Sequence, residues 1–532
     1  MCLSRSRLLA VGLAVCLCLP ALSCLMPAPE PPEGTPRLLL LVVVDQFRGD
    51  YLERFDSLWT AGVRRLLDEG VVFSEAHHRH AVTHTAAGHA SLVTGCHPRR
   101  HGIISNYWSD PMEGRRVYSV EDEEHDLSPA KLLVPTLGDW LKQRSRQSRV
   151  FTASGKDRAA ILMGGRGADA AFWYDDDDGN WQSNGYYAGA KADWVEEFSG
   201  ERLADEQLGN AWRPLPVSPE QLAAVGVEEL DLGPLRPGFP HVYGGLQVAP
   251  SEPLYYGLYG KPWMDEHLTR FAKRLVAEEE LGVDGWTDLL ALSYSALDFA
   301  GHSYGPDSPE VLDVLLRFDL QLGELLEYID ERIGLDQVVV ALSSDHGVAP
   351  MPELGRSGGR RLTAEGVLCF QQVNRRLVER FGDAQWLLRG PFVNPEAIAE
   401  SGVERDLVED EAARLLEACP GVDRVWRRGE LGEDAEPAAR LVANSHHAER
   451  SPDLHVEFEP FFQPTRSAAT HGSAHRYDTH VPLVLLAPGL GPARDEAPAA
   501  TVDLAPTLAA LAGLPPPDVD GVDLGPRLGA AR

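Results

Sequence analysis

The chain has 532 residues, 44% of them hydrophobic, and its 80 acidic and 49 basic side chains give a formal charge of −31. That length and apolar content bury one large core or two ordinary ones, which excludes a disordered or fibrous chain. The acidic excess excludes broad nucleic-acid binding, since a phosphate polyanion is repelled wherever cations are not gathered, and an anionic substrate needs a local positive site such as bound metals supply.

At the N-terminus, Arg5 and Arg7 precede an apolar run from Leu8 to Leu22. The run is short for a membrane span and suits the apolar region of an export signal. Its end, Ala21-Leu22-Ser23-Cys24, is followed by a Pro-rich stretch to about Pro36 and resembles a bacterial lipoprotein processing site, although Leu is usual where Ala21 stands. We therefore expect a signal peptide over 1–24, a linker over 25–36 and an exported protein, periplasmic or at the cell surface, attached to a membrane by lipid on Cys24. Plain secretion is the competing fate. Cys2, Cys16 and Cys18 fall in the signal; with Cys24 lipidated, Cys96, Cys369 and Cys419 remain, so at most one disulfide forms and one thiol is left over. No Cys-x-x-Cys pair is present, which argues against a thiolate metal site.

Leu38 to Val44 is a continuous aliphatic run ending at Asp45, the pattern of a buried parallel strand with a polar residue at the end where open α/β sheets build their sites. Thr85 stands just before a helical stretch and suits an N-cap. Taken alone, Asn106 in His101-Gly-Ile-Ile-Ser-Asn106 is a turn residue, and Ser154-Gly-Lys156-Asp-Arg158 is a solvated basic turn. From about 150 to 285 the pattern is irregular and rich in aromatic residues, Gly and Pro, which reads as an insertion. Within it, Asp175 to Asp178 is a solvated turn or a calcium loop. Helical periodicity covers Lys261 to Glu280 and Pro309 to Ile333. Strands are expected over Leu289 to Tyr294, before Asp298 and His302, and over Gln337 to Ser344, directly before Asp345-His346-Gly347. A second insertion with charged helices spans about 355 to 460, after which Thr470-His471-Gly472 precedes a core strand over Val481 to Ala487. Strands alternating with helices predict an α/β fold with a mainly parallel central sheet covered on both faces, in one catalytic domain over 37–532.

Asp45, Thr85, Asp298, His302, Asp345, His346 and His471 make seven oxygen and nitrogen donors. Zinc accepts both kinds, and two metals about 4 Å apart clamp a phosphoryl group while activating a nucleophile. Manganese and iron suit the same donors. One helical turn after a strand puts Asp298 and His302 on one ion. Asp345 and His346 are adjacent and splay apart in an extended segment, so Gly347 is expected to supply a bend.

These segments, in order, resemble the alkaline phosphatase superfamily, and within it the phosphate-irrepressible Thr-nucleophile alkaline phosphatases, which are related to the nucleotide pyrophosphatase/phosphodiesterases. The resemblance runs from about Leu38 to Leu528. It implies an alkaline-phosphatase-like sandwich whose insertions form a cap, and two Zn2+ ions. Asp45, Thr85, Asp345 and His346 would hold one ion and Asp298, His302 and His471 the other, with His475 and His480 as neighbours. Thr83 to Gly95 looks like the family's nucleophile motif, with Thr85 at the reacting position and Thr83 in its place if the register slips by two. A hydroxyl at a helix N-terminus is favoured as alkoxide there, and backbone N–H groups hold a phosphate oxygen. Asn106 matches the family's asparagine that hydrogen-bonds the substrate phosphate.

Lys156 and Arg158 look like the Lys-x-Arg of the Thr-type phosphomonoesterases, two cations that favour a monoester dianion over a diester. The similarity continues through Phe172-Trp-Tyr, Asn180-Trp and Asn184-Gly-Tyr-Tyr187. The implied function is hydrolysis of small phosphate monoesters through a phosphothreonine. The alternative is a phosphodiesterase or nucleotide pyrophosphatase on the same metals. A non-catalytic binding protein conflicts with the intact donor set. Cys96-His-Pro98-Arg-Arg100 satisfies the Cys-x-Pro-x-Arg pattern of sulfatases, but it follows Val93-Thr-Gly95 instead of preceding it, and Thr85 already fills the nucleophile's place.

Overall fold

The aliphatic runs become the middle of a nine-stranded sheet. The computed structural model describes residues 34–110, 114–187, 193–227, 238–245, 247, 249–354, 358–432 and 436–530. The expected signal peptide, Cys24 and residues 25–33 of the linker lie outside them.

Strands β1 (Leu38–Val44), β2 (Val71–Phe73), β3 (Val150–Ser154), β4 (Ala170–Tyr174), β5 (Trp181–Gln182), β6 (Asp288–Tyr294), β7 (Val338–Ser343), β8 (Leu483–Leu486) and β9 (Ala493–Asp495) lie in the order β5-β4-β3-β6-β1-β7-β8-β2-β9. β1 runs parallel to both β6 and β7, and β3 and β4 continue that parallel block. β1 is buried along its whole length, as a strand covered on both faces must be, which explains its unbroken aliphatic sequence. β8 runs antiparallel to β7 and to β2. The segment before β8 therefore arrives at the same sheet edge as the segments that follow β1, β6 and β7.

Helices α1 (Thr85–Thr94), α2 (Asp157–Gly164), α3 (Pro262–Glu278), α4 (Ala296–Tyr304) and α5 (Pro309–Arg332) close the layers, with α1 packed on α2, α3 on α5, and α4 on α5. No described helix is long and apolar enough to cross a membrane.

The first insertion is narrower than expected. β3, β4 and β5 belong to the sheet, and α3 packs against β6. Strands of five residues such as Ala170-Ala-Phe-Trp-Tyr174 lack the long aliphatic stretch that marks β1, so their sequence reads as irregular. The second insertion is a module with its own core. Helices α6 (Ala364–Phe381) and α7 (Arg405–Glu417) and an antiparallel pair, Val422–Arg427 with Leu454–Phe458, enclose Leu377, Trp386, Val408, Ala412 and Leu454. A disulfide joins Cys369 to Cys419 within it, and Cys96 remains a buried free thiol.

Candidate bimetallic site

Each donor comes from the end of a buried element. The Asp45 N–H donates to Tyr294 O at 2.9 Å, tying the ends of β1 and β6 together. Gln46 then takes a left-handed φ of 71°. Its N–H donates to Asp345 Oδ1 at 3.2 Å and its Nε2 to Asp298 Oδ1 at 2.6 Å, so one residue spans two ligand segments. α4 carries Asp298 and His302 on successive turns, with His302 Nε2 3.2 Å from Asp298 Oδ1. Asp265 Oδ1 accepts the N–H groups of Ser295 and Ala296 and fixes the start of that helix.

After β7 come Asp345 and His346. Gly347 is not in the left-handed region; a Cβ there would stand 2.2 Å from Tyr477 O, so what requires a glycine is close approach of two backbones. Gly88 on α1 serves the same purpose, because a Cβ would stand 2.0 Å from Asp345 O.

The three histidines are oriented alike. Nδ1 lies 2.9 Å from Ala469 O in His302, 3.0 Å from Gly347 O in His346 and 2.8 Å from Thr83 O in His471. A carbonyl only accepts, so Nδ1 is the protonated nitrogen and Nε2 is left to face the centre, as metal-ligating histidines are held. Burial, with His346 and His302 nearby, keeps His471 well below its ordinary value and hence neutral. For His302 burial acts in the same direction, but the Asp298 carboxylate outweighs it and holds the imidazole above its ordinary value. Burial and Asp345 together push the Asp45 carboxyl up, while at Asp298 burial is outweighed by Lys156 and His302, which hold it down.

Ligand atoms of Asp45, Asp345 and His346 lie within 4.8 Å of one another, and so do those of Asp298, His346 and His471. His346 thus belongs to both groups, where the sequence reading put it with one ion. Asp45 Oδ1, Asp345 Oδ2 and His346 Nε2 are buried without a hydrogen-bond partner, and the two oxygens each lie 3.4 Å from the nitrogen. Three lone-pair donors turned on one another fit a cation between them.

Lys156 departs from expectation. Its Nζ lies 2.5 Å from Asp45 Oδ2 and 2.6 Å from Asp298 Oδ2, bridging the two carboxylates instead of projecting beyond them. A buried cluster of acids needs a neutralising charge, and the ammonium supplies it. Arg158, two residues on, lies beside Asp157, which also accepts the Tyr118 hydroxyl at 2.5 Å.

Thr85 opens α1 and is 1% exposed. The Thr83 hydroxyl donates to Ser473 O, whereas that of Thr85 has no hydrogen-bond partner among the described residues. Asn106 Oδ1 accepts the Ala86 N–H at 2.8 Å, so the asparagine sits at the first turn of the helix with its amide nitrogen as the end left over.

Two residues outside the sequence reading complete the arrangement. One is Gln46, which follows Asp45 directly. The other is His89, whose Nδ1 lies 2.8 Å from Thr85 O and 3.3 Å from Asp345 Oδ2 and whose Nε2 pairs with Ser293 Oγ. The four-residue spacing from Thr85 on one helix face was the available signal for His89. His475 Nε2 and His480 Nε2 are taken by Phe458 O and Ser74 O, so neither turns to the centre. The Asp175–Asp178 run folds as a turn, with Asp177 N–H donating to Asp175 and Asn180 N–H to Asp178. Cys96 is buried beyond the C-terminal end of α1, the end opposite Thr85.

The family described as type I phosphodiesterase / nucleotide pyrophosphatase matches residues 39–481. Alkaline phosphatase PhoV of Synechococcus elongatus is 31% identical, over 95% of this chain and 96% of its own. A Myroides odoratus protein named calcium-transporting ATPase is 32% identical over 89% and 91%. The crystal structure of wild-type alkaline phosphatase PafA superposes with a TM-score of 0.83 at 26% identity, covering 92% of this chain and 98% of that one.

Proposed function

The chain belongs to the type I phosphodiesterase / nucleotide pyrophosphatase family, and on that premise we propose that it works as an alkaline phosphatase with two zinc ions and a phosphothreonine intermediate. It is a phosphate monoester hydrolase. The observation that supports the finer reading is the packing of the first turns of α1 on Asp345 through Gly88 and His89, with Asn106 bonded to that helix start and Lys156 to Asp45 and Asp298.

Asp45, Asp345 and His346 would hold one cation with Thr85, and Asp298, His302 and His471 the other, with His346 between them. Bound there, two divalent cations lower the pKa of a hydroxyl and neutralise charge on a transferring phosphoryl group. Thr85 Oγ1 attacks phosphorus at the N-terminus of α1, the ester oxygen leaves with the alcohol, and water releases phosphate from the threonine. Asn106 Nδ2 donates to a phosphate oxygen, since its Oδ1 is occupied by Ala86 N–H. Lys156 shares its carboxylates with the metal positions. With cations held at Asp45 and Asp298, the Lys156 ammonium would no longer be needed to neutralise those carboxylates and could meet the extra negative charge of a monoester. Arg158 adds a second cation beside it.

Rates on p-nitrophenyl phosphate and its bis ester, alongside metal analysis of the purified protein, test this reading. A faster diester would make the enzyme a phosphodiesterase, and one metal per chain would remove the bimetallic site. Export with lipid on Cys24 belongs to the same proposal and is supported by the apolar run before that residue. Cys24→Ala is expected to move the protein from the membrane fraction to the soluble one.

A further inference from the structure

Between the catalytic body and the inserted module lies a cavity of about 280 Å³. Its wall starts beside the reacting residues. Ser105 and Tyr107, which flank Asn106, both line it, and Ser105 Oγ is 2.7 Å from Nδ1 of His84, the residue before Thr85. The module supplies the opposite wall through Arg389 and Phe392.

The charge of this wall runs against the molecule. In a chain with 80 acidic and 49 basic residues, no Asp or Glu lines the cavity, while Arg116, Arg389 and Arg450 all do. None of the three makes an ion pair with a carboxylate among the described residues. Arg116 stacks over Tyr107 at 3.7 Å, and Tyr107 stacks in turn on Tyr118 at 4.6 Å. Arg450 lies 5.4 Å from the Trp108 ring and spends one nitrogen on the carbonyls of Gly102 and Lys131. Arg116 and Arg389 are exposed, and neither guanidinium donates a hydrogen bond among the described residues. Guanidinium groups recognise planar anions through paired N–H donors, and with Tyr107 covered by Arg116 and Tyr118, the rings of Trp108 and Phe392 in the same lining are the apolar surface for a planar partner.

We propose that this cavity is a leaving-group subsite that selects phosphate monoesters whose alcohol part is a planar ring bearing a further anionic group. The proposal rests on the monoesterase reading above, because it places the phosphoryl group at Thr85 and Asn106 and the rest of the ester across Ser105 and Tyr107. No covalent step is added.

The test uses the full metal-loaded chain and two esters, phenyl phosphate and 4-carboxyphenyl phosphate. The kcat/KM ratio of the carboxylated ester to the plain one is expected to fall about tenfold in Arg389→Ala and in Arg116→Ala, a loss of one charge-assisted contact, while phenyl phosphate itself changes much less. Binding of 4-hydroxybenzoate, measured by calorimetry, is expected to weaken to a similar degree in both variants. An unchanged ratio together with unchanged 4-hydroxybenzoate binding overturns the subsite. If neither ester is hydrolysed by the unaltered protein, the monoesterase reading falls, and 4-hydroxybenzoate binding alone then decides whether the cavity takes an aromatic anion.

Discussion

The sheet edge that carries the donors and the module inserted between β7 and β8 are held together by opposite means. At the sheet edge, side chains from segments as far apart as Asp45 and His471 meet because each follows or precedes a buried strand, and the contacts that fix them are long-range. The inserted module is local: its core residues fall within residues 373–454, and its disulfide spans a sequence separation of 50. The chemistry therefore depends on the register of the whole sheet, whereas the module can vary its surface with little effect on the strands beneath it. A cavity between the two combines a fixed reacting end with a variable recognising end.

Removing donors should show the first half of this contrast most strongly. Thr85→Ala and Asp345→Asn are each expected to lower kcat/KM on p-nitrophenyl phosphate by roughly a thousandfold or more with the circular dichroism of the fold retained. Chelation should give a comparable loss that added zinc reverses. Lys156→Ala should have a smaller and selective effect, with monoester turnover falling by about a hundredfold and diester turnover by far less. In the metal-free protein the same change leaves Asp45 and Asp298 uncompensated, and breaking such a buried pair costs about 3–5 kcal/mol. Thermal melts of wild type and variant should differ strongly without metal and converge once metal is bound.

The module should respond separately. Cys369→Ala removes a crosslink worth about 4 kcal/mol for a loop of this length, yet it should leave p-nitrophenyl phosphate turnover within about threefold while limited proteolysis cuts between α6 and Leu454. Equal loss of activity would mean that the two regions are mechanically one. The smallest effect concerns Asp265, which burial holds up to about 7 against an ordinary value of 3.8. The folded chain keeps that proton where the unfolded chain releases it, so this contribution to stability is complete below pH 3.8 and is lost as pH rises through about 7. Asp265→Asn still accepts the two N–H groups at the start of α4, and should raise the melting temperature by about a degree or two at pH 8 and not at pH 5.

Much of this arrangement was legible in the sequence. Aliphatic runs before Asp45, Asp298 and Asp345 mark strands whose ends share one sheet edge, and strand β8 supplies His471 from the same side. Less visible were the strands of residues 150–182, too short and aromatic to announce themselves. Gln46 was missed because its role follows from a left-handed backbone that glutamine does not advertise. Lys156 was found, but its placement between two carboxylates is a consequence of three-dimensional charge balance that no spacing records.

The antiparallel β8 has a further consequence for how the protein is made. A chain emerging from the ribosome offers β1, β6 and β7 in sequence, but β2 and β9 cannot join them until residues 483–486 have been synthesised to lie between. His471 arrives with that same late segment. The last donor and the last link of the sheet are thus delivered together, so a chain cut before residue 471 completes neither the sheet nor the Asp298, His346 and His471 group.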